Sequence, residues 1–299
     1  VEGGFYLFSE ELLVDVMLAA LSGGGDFVEL FGEDTYSTVN RMLNGMVEEG
    51  ISGRDYGLGI RIFQGLRSVY AFTNDTGRDN LIKVALEAAA ALQGSGQPGN
   101  IVLNKLTPEK SHPILVEPRS VGQAEKVAIM KKAHRAAAGY DKQISQVVVN
   151  YVDRDQNVFI ANSEGLMVAD RRVRTRLSIG TVASKGNEKQ TIFTGPGAHR
   201  GFELFDMVDV EELAIDAAKS AVTMVNAAYA PSGKYPVIID NGFGGVIFHE
   251  ACGHSLEATS VAKGASEFSG RLGQKVATDL VTAVDDGTIP NAWGSLNID

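Results

Sequence analysis

Between Phe27 and Phe72 four runs of strand-forming residues follow one another with only glycine-bearing punctuation between them. The runs are Phe27 to Phe31, Thr35 to Leu43, Ile51 to Phe63 and Ser68 to Phe72, broken at Gly32, Asn44-Gly45, Gly53 and Gly65. Links this short suit neighbouring antiparallel strands, so the segment predicts an antiparallel meander. Before it, Ser9 to Leu21 sets Leu12, Leu13, Val16, Met17 and Ala20 at helical spacing, and Ser22 to Gly25 supplies glycines that end the helix.

Further along, Asp79 to Leu92 is an alanine-rich helix, and Gln93 to Asn100 is a flexible connection rich in glycine and glutamine. Ser120 to Ala138 predicts another helix. Strand periodicity returns at Val147 to Asp153, Asn157 to Ala161 and Met167 to Ser184. Asp209 to Tyr229 aligns Val210, Leu213, Ala217, Ala221, Met224 and Ala228 on one helical face, and Pro231-Ser-Gly stops it. Helices interspersed with strand runs predict an α+β fold rather than a wound parallel sheet. The expected organisation is an N-terminal mixed α/β domain over residues 1–230, with antiparallel strands, flanking helices and a subdivision near 93–118. Residues 231–299 would begin a β-rich C-terminal domain carrying a metal-site helix. There Tyr235 to Asp240 reads as a buried strand, Asn241 to Gly245 as a glycine-rich turn and Val246 to Ala258 as a helix. The stretch from Val284 to Asp299 reads as stopping inside a strand, as in a truncated chain.

The 299 residues are 44% apolar, enough for one large or two ordinary cores. No run approaches the roughly 20 apolar residues needed to cross a bilayer. A net charge of -10, from 27 Lys and Arg against 37 Asp and Glu, opposes nucleic acid as a partner. The single cysteine, Cys252, permits no intramolecular disulfide. These features suggest a soluble, cytoplasmic protein with no membrane association.

The residues richest in chemistry lie in Val246-Ile-Phe-His-Glu-Ala-Cys-Gly-His-Ser-Leu-Glu257. His249 and His254 offer two imidazoles to a zinc ion, and Glu250 offers a carboxylate able to take a proton from water. The spacing is His-Glu-x-x-x-His. In a regular α-helix, residues five apart point roughly 140° apart around the axis, whereas residues four apart differ by roughly 40°. Aiming both histidines at one ion therefore requires a π-bulge, kink or break, for which Gly253 is a suitable place. The alternative is two unrelated histidines and a solvated glutamate on one helix. A catalytic zinc normally takes three protein ligands, so a third must come from elsewhere. Cys252 is the nearest soft candidate but fits better as a small filler. Glu257 fits better as a partner orienting an imidazole, and His199, Asp240, Asp285 and Asp286 are weaker guesses. His112 and His134 receive no role.

Asp240-Asn-Gly-Phe-Gly-Gly lacks the lysine and hydroxyl of a phosphate loop and reads as a helix-entry turn. Arg172, Arg174 and Arg176 share one face of a strand and could receive an acidic peptide, though a solvated sheet face is the simpler reading.

The motif resembles the TldD/TldE (PmbA) family of peptidases, also called modulators of DNA gyrase, and specifically its TldD branch. Further likeness lies in Asp55-Tyr-Gly-Leu-Gly-Ile-Arg61, Ala71-Phe-Thr-Asn-Asp75, Pro231-Ser-Gly, Lys263-Gly-Ala-Ser, Gly270-Arg-Leu-Gly273 and Val284-Asp-Asp-Gly-Thr288. The resemblance implies that His249 and His254 bind Zn²⁺, that Glu250 is the catalytic base, and that the third ligand is a cysteine downstream of Asp299. It also implies a dimer around an enclosed cavity, either a homodimer or a heterodimer with a TldE-like subunit, that hydrolyses unfolded peptides or small proteins. A non-catalytic peptide-binding or partner subunit is the alternative function.

Overall fold

The computed structural model describes residues 8–109 and 112–298. Val1 and Asp299, the outer limits of the two expected domains, lie outside the described residues. The chain divides into two compact units, one within residues 1–64, 68–227 and 286–299, the other formed by 65–67 and 228–285.

The first unit is built on one sheet of eight strands: β1 (Phe27–Leu43), β2 (Met46–Gln64), β3 (Arg67–Thr73), β4 (Asn104–Leu106), β5 (Ile144–Asn162), β6 (Leu166–Lys185), β7 (Glu188–Thr194) and β8 (Gly197–Ala198). The spatial order is β3-β2-β1-β5-β6-β4, with β7 and β8 also paired to β6. β1, β2, β5 and β6 pair antiparallel along long ladders, and the short β4 runs parallel to β6. The predicted meander is therefore present, with fewer and longer strands. Phe27 to Phe31 and Thr35 to Leu43 form one strand, because Gly32 does not break it. Gly32 lies opposite Phe159, and a Cβ there would come within 1.8 Å of the phenyl ring. The glycine makes room for a core aromatic rather than marking a turn.

Helices α1 (Glu10–Leu21), α2 (Arg78–Ala90), α3 (Gln123–Ala138), α4 (Leu204–Met207) and α5 (Val210–Asn226) complete the unit. Ser9 caps α1 by accepting from Leu12 N, and Asp209 caps α5 by accepting from Glu211 N and Glu212 N. Two apolar clusters form on one face of the sheet. Leu13, Met17, Leu81 and Ala85 of α1 and α2 pack on Val28, Leu30, Leu58, Ile60 and Phe159. Met130, Ala133, Ala214 and Ala218 of α3 and α5 pack on Met42, Val149, Tyr151, Leu177 and Ile179. Alternate residues of a strand share a face, so Val28, Leu30 and Met42 of β1 show that both helix pairs cover the same side.

The opposite side of β6 corrects two expectations. Arg172 and Arg174 are half-buried rather than solvated, with Arg176 still exposed, and the described residues after Val284 form no strand. Turns bring residues 291–298 over β6, where Arg172 Nη2 donates to Ile298 O at 2.7 Å and Arg174 Nε to Trp293 O at 2.9 Å. The Arg176 guanidinium stacks over the Trp293 ring. Carbonyl oxygens, rather than the acidic side chains considered from sequence, receive these donors.

Two histidines hold the same segment. The His112 and His199 rings stack at 3.9 Å and are both buried. His112 Nδ1 accepts from Asn291 N at 2.9 Å, and His199 Nε2 accepts from Val173 N at 3.2 Å while Nδ1 faces Ser295 O. Each ring accepts a main-chain N–H and so must be neutral. Burial, then His112, pushes the His199 pKa down to about 4, with Arg174 lowering it further and Asp170 opposing; burial also lowers that of His112. A histidine whose folded pKa is depressed leaves the unfolded chain binding more protons between the two pKa values. Stability is thus intact above about pH 6.5 and declines as pH falls towards 4, by roughly 3 kcal/mol for His199 alone. Urea unfolding at pH 7 and pH 4.5 should show this decline, and His199→Gln should flatten it; an unchanged slope in the variant would refute the assignment.

The described residues from Ala228 to Asp285 contain no strand. Tyr235 to Asp240, expected as a buried strand, has no regular secondary structure and is exposed, with Ile238 98% accessible. Its apolar pattern resembles a core strand, but no ladder partner is present among the described residues. Among those residues no helix is long and apolar enough to cross a membrane.

Candidate metal centre

The expected helix from Val246 to Ala258 is a succession of unlike turns. A 3-10 turn at Gly242–Gly245 leads into α6 (Val246–Phe248), then a π-turn spans His249–Gly253, a 3-10 turn spans His254–Leu256, and α7 covers Ala258–Ala262. His254 N–H donates to His249 O, the i→i+5 bond that defines a π-turn. Closing the turn one residue late makes residues five apart neighbours, which is what the His-Glu-x-x-x-His spacing requires.

The π-turn brings His249, Glu250 and His254 together, with one ligand atom from each lying within 4.8 Å of the others. The two imidazoles meet edge to face at 4.4 Å between centroids. Gly253 permits this arrangement, since a Cβ there would stand 3.3 Å from His249 Nδ1. Glu257 Oε1 lies 2.8 Å from His254 Nδ1. A carboxylate can only accept, so Nδ1 carries the proton and the Nε2 lone pair is directed elsewhere; Nε2 lies 3.8 Å from Glu250 Oε2. Glu257 thus orients the ring, as a carboxylate behind a metal-binding histidine does. The same hydrogen bond raises the His254 pKa, with Glu250 and Glu257 charge adding to it.

The Lys263-Gly-Ala-Ser266 stretch fixes the end of this segment. Gly264 takes a left-handed φ of 70° after α7, and Ala265 N donates to Ser260 O at 2.9 Å. The chain then turns back so that the Ser266 hydroxyl donates to Ser255 O.

Of the other residues weighed from sequence, Cys252 lies half-buried inside the π-turn and forms no disulfide. His199 has both ring nitrogens occupied by main-chain groups. Asp240 accepts from Asn241 N, and Asp286 accepts from Thr288 N and Oγ1, each a local turn contact. Among the described residues His249, Glu250 and His254 are the one group of three able to hold a metal. Two imidazoles beside a carboxylate are a donor set able to hold a metal ion.

The sequence matches PmbA/TldA metallopeptidase domain 1 over residues 28–92, the central domain over 116–225 and the C-terminal domain over 232–299. A Methanothermobacter thermautotrophicus protein named metalloprotease is 33% identical over 261 residues, covering 86% of this chain and 56% of that protein. A Haemophilus influenzae metalloprotease TldD homolog is 29% identical over 285 residues, covering 92% and 58%. The chain therefore spans a little over half the length of these relatives. In three dimensions it is similar to a Thermotoga maritima protein described as a modulator of a DNA gyrase, with a TM-score of 0.68, 22% identity and coverage of 88% of this chain and 59% of that one. With three consecutive domains matched in order, the chain belongs to the TldD/PmbA family.

Proposed function

We propose that the chain contributes the two-histidine part of a zinc-dependent peptidase site, acting on unfolded peptides or small proteins. The observation that carries this reading is the π-turn, which gathers His249, Glu250 and His254 on a spacing that a regular α-helix would separate. His249 and His254 are the proposed ligands, with a third supplied from beyond Asp299. When bound, zinc supplies Lewis acidity that lowers the pKa of water and polarises a peptide carbonyl.

The chain's own residues do the rest. His254 is held in one tautomer by Glu257 and keeps Nε2 free as a donor atom. Glu250, exposed beside both rings, can accept a proton from water and deliver it to the departing amine. The family names of the relatives support a peptidase. A TldE-like subunit or a second copy of this chain is the proposed partner, and the cytoplasm is the proposed setting.

Elemental analysis of this chain, and of a longer form extending past Asp299, tests the ligand assignment. The longer form is expected to hold about one zinc per chain and His249→Ala to hold almost none. Equal metal content in parent and variant would remove His249 from the site. An empty longer form would favour a non-catalytic binding subunit.

A further inference from the structure

The helix-covered face of the sheet is apolar at both ends and polar between them. Along β1 this face reads Val28, Leu30 and Gly32, then Asp34, Tyr36, Thr38 and Asn40, then Met42. Across the ladders Tyr36 faces Arg54 and Asp155, and Thr38 faces Ser52 and Asp153. Asp34, Thr38, Asn40, Asp153, Asp155 and Thr175 are all buried. Buried polar groups are costly unless paired, and most here are paired with care. Arg54 grips Asp34 through Nε at 2.6 Å and Nη2 at 2.9 Å, Arg171 joins Asp155 to Glu117, and Lys126 Nζ meets Asp153 Oδ2. The polar belt therefore separates the α1/α2 cluster from the α3/α5 cluster.

Over this belt lies an open cleft of about 500 Å³, lined among others by Tyr36, Ser52, Arg54, Arg119, Gln123 and Lys126. Arg119 differs from the other cations. Its guanidinium carbon lies over the Tyr36 ring, 3.5 Å from the centroid, closer than an edge-on guanidinium could approach, and it makes no ion pair or hydrogen bond among the described residues. Stacking uses the face of a guanidinium and leaves its in-plane N–H donors unspent. Arg54 approaches the same ring at 5.2 Å, and its clasp on Asp34 uses only Nε and Nη2. Lys126, 3% exposed, directs its ammonium to Asp153 and Thr38 at the cleft floor. The cleft thus has three cations and one carboxylate, Asp153, in a chain whose net charge is -10. Gln123 adds an amide anchored by its bond to the Asn40 side chain.

We propose that this cleft binds a small molecule or chain end through an oxyanion, a carboxylate or a phosphate, held by the in-plane donors of Arg119 with Arg54 beside it. The planar fork of a stacked arginine matches two oxygens of either group. The ligand's body lies along Ser52 and Gly53, where a Cβ on Gly53 would meet nothing within 4 Å.

Titration calorimetry on the whole chain tests this, with sodium phosphate, N-acetyl-dialanine and N-acetyl-dialanine amide as probes at an ionic strength fixed with sodium chloride. Saturable binding of phosphate or of the free acid is expected, with the amide inert, and the stronger of the two identifies the source of the oxyanion. Arg119→Gln should weaken that binding at least about tenfold, and Arg119→Lys should restore only part of it. The Arg119 side chain is exposed, so the unfolding midpoint without ligand should not move. No binding by either anion up to about 10 mM, amide binding equal to acid binding, or affinity within about twofold in Arg119→Gln would overturn the proposal.

Discussion

Replacing Glu250 by Gln is expected to lower peptidase turnover by about 10²- to 10⁴-fold in any form of the protein that cleaves peptides, while leaving its zinc content unchanged. Gln keeps the volume of Glu and can hydrogen-bond, but it cannot accept a proton at neutral pH. The carboxylate lies with both imidazoles in a 4.8 Å cluster, and its Oε2 is 3.8 Å from His254 Nε2. That proximity allows two roles, general base or third ligand. Metal analysis beside the kinetics separates them: a base variant loses turnover and keeps zinc, whereas a ligand variant loses both. Full turnover in Glu250→Gln would eliminate the base. A Glu257→Gln change should have a smaller effect, because the amide oxygen still accepts from His254 Nδ1 and preserves the tautomer.

The local geometry of the candidate site was legible in the sequence to an unusual degree because its spacing is awkward. A separation of five positions between His249 and His254 conflicts with a regular α-helix, and Gly253 is the place where that conflict can relax; the π-turn is the result. The role of Glu257 could likewise be anticipated one turn beyond His254. Long amphipathic helices such as α3 and α5 were found to within a few residues, since 3.6-residue periodicity is a local property.

Long-range pairing was less accessible. Gly32 read as punctuation because its partner, the Phe159 ring, lies far along the chain. Tyr235 to Asp240 has the composition of a core strand, but a strand exists only with a ladder partner. The short β4, β7 and β8 carry little periodicity and depend on β6 for their definition. His112 and His199 looked unrelated because 86 intervening residues hide their stacking, and the only sequence clue was that each is surrounded by turn-forming or apolar residues. The polar belt had a visible trace in the alternation Asp34, Tyr36, Thr38 and Asn40. Without knowing which face of β1 the helices cover, that alternation reads as a solvated edge.

The belt also makes the larger stability prediction. Lys126 and Asp153 are 3% and 2% exposed and meet at 2.5 Å. Lys126→Met should destabilise the first unit by about 3–5 kcal/mol, because it leaves a carboxylate buried against Thr38 and Tyr151 with no cation. For a unit of this size that corresponds to a fall in Tm on the order of 10 °C. The double change Lys126→Met with Asp153→Leu should recover most of the loss, since two apolar groups need no mutual compensation. The pattern matters more than either value. A large loss in the single variant and recovery in the double one identifies an ion pair retained at the expense of hydrophobic stability, as expected where a sheet face must stay polar beneath a ligand cleft. Equal losses in both would mean that packing volume, not charge, is what Lys126 supplies. A single-variant loss under about 1 kcal/mol would mean that Asp153 is protonated or solvated when alone, and the electrostatic account of the belt would fail with it.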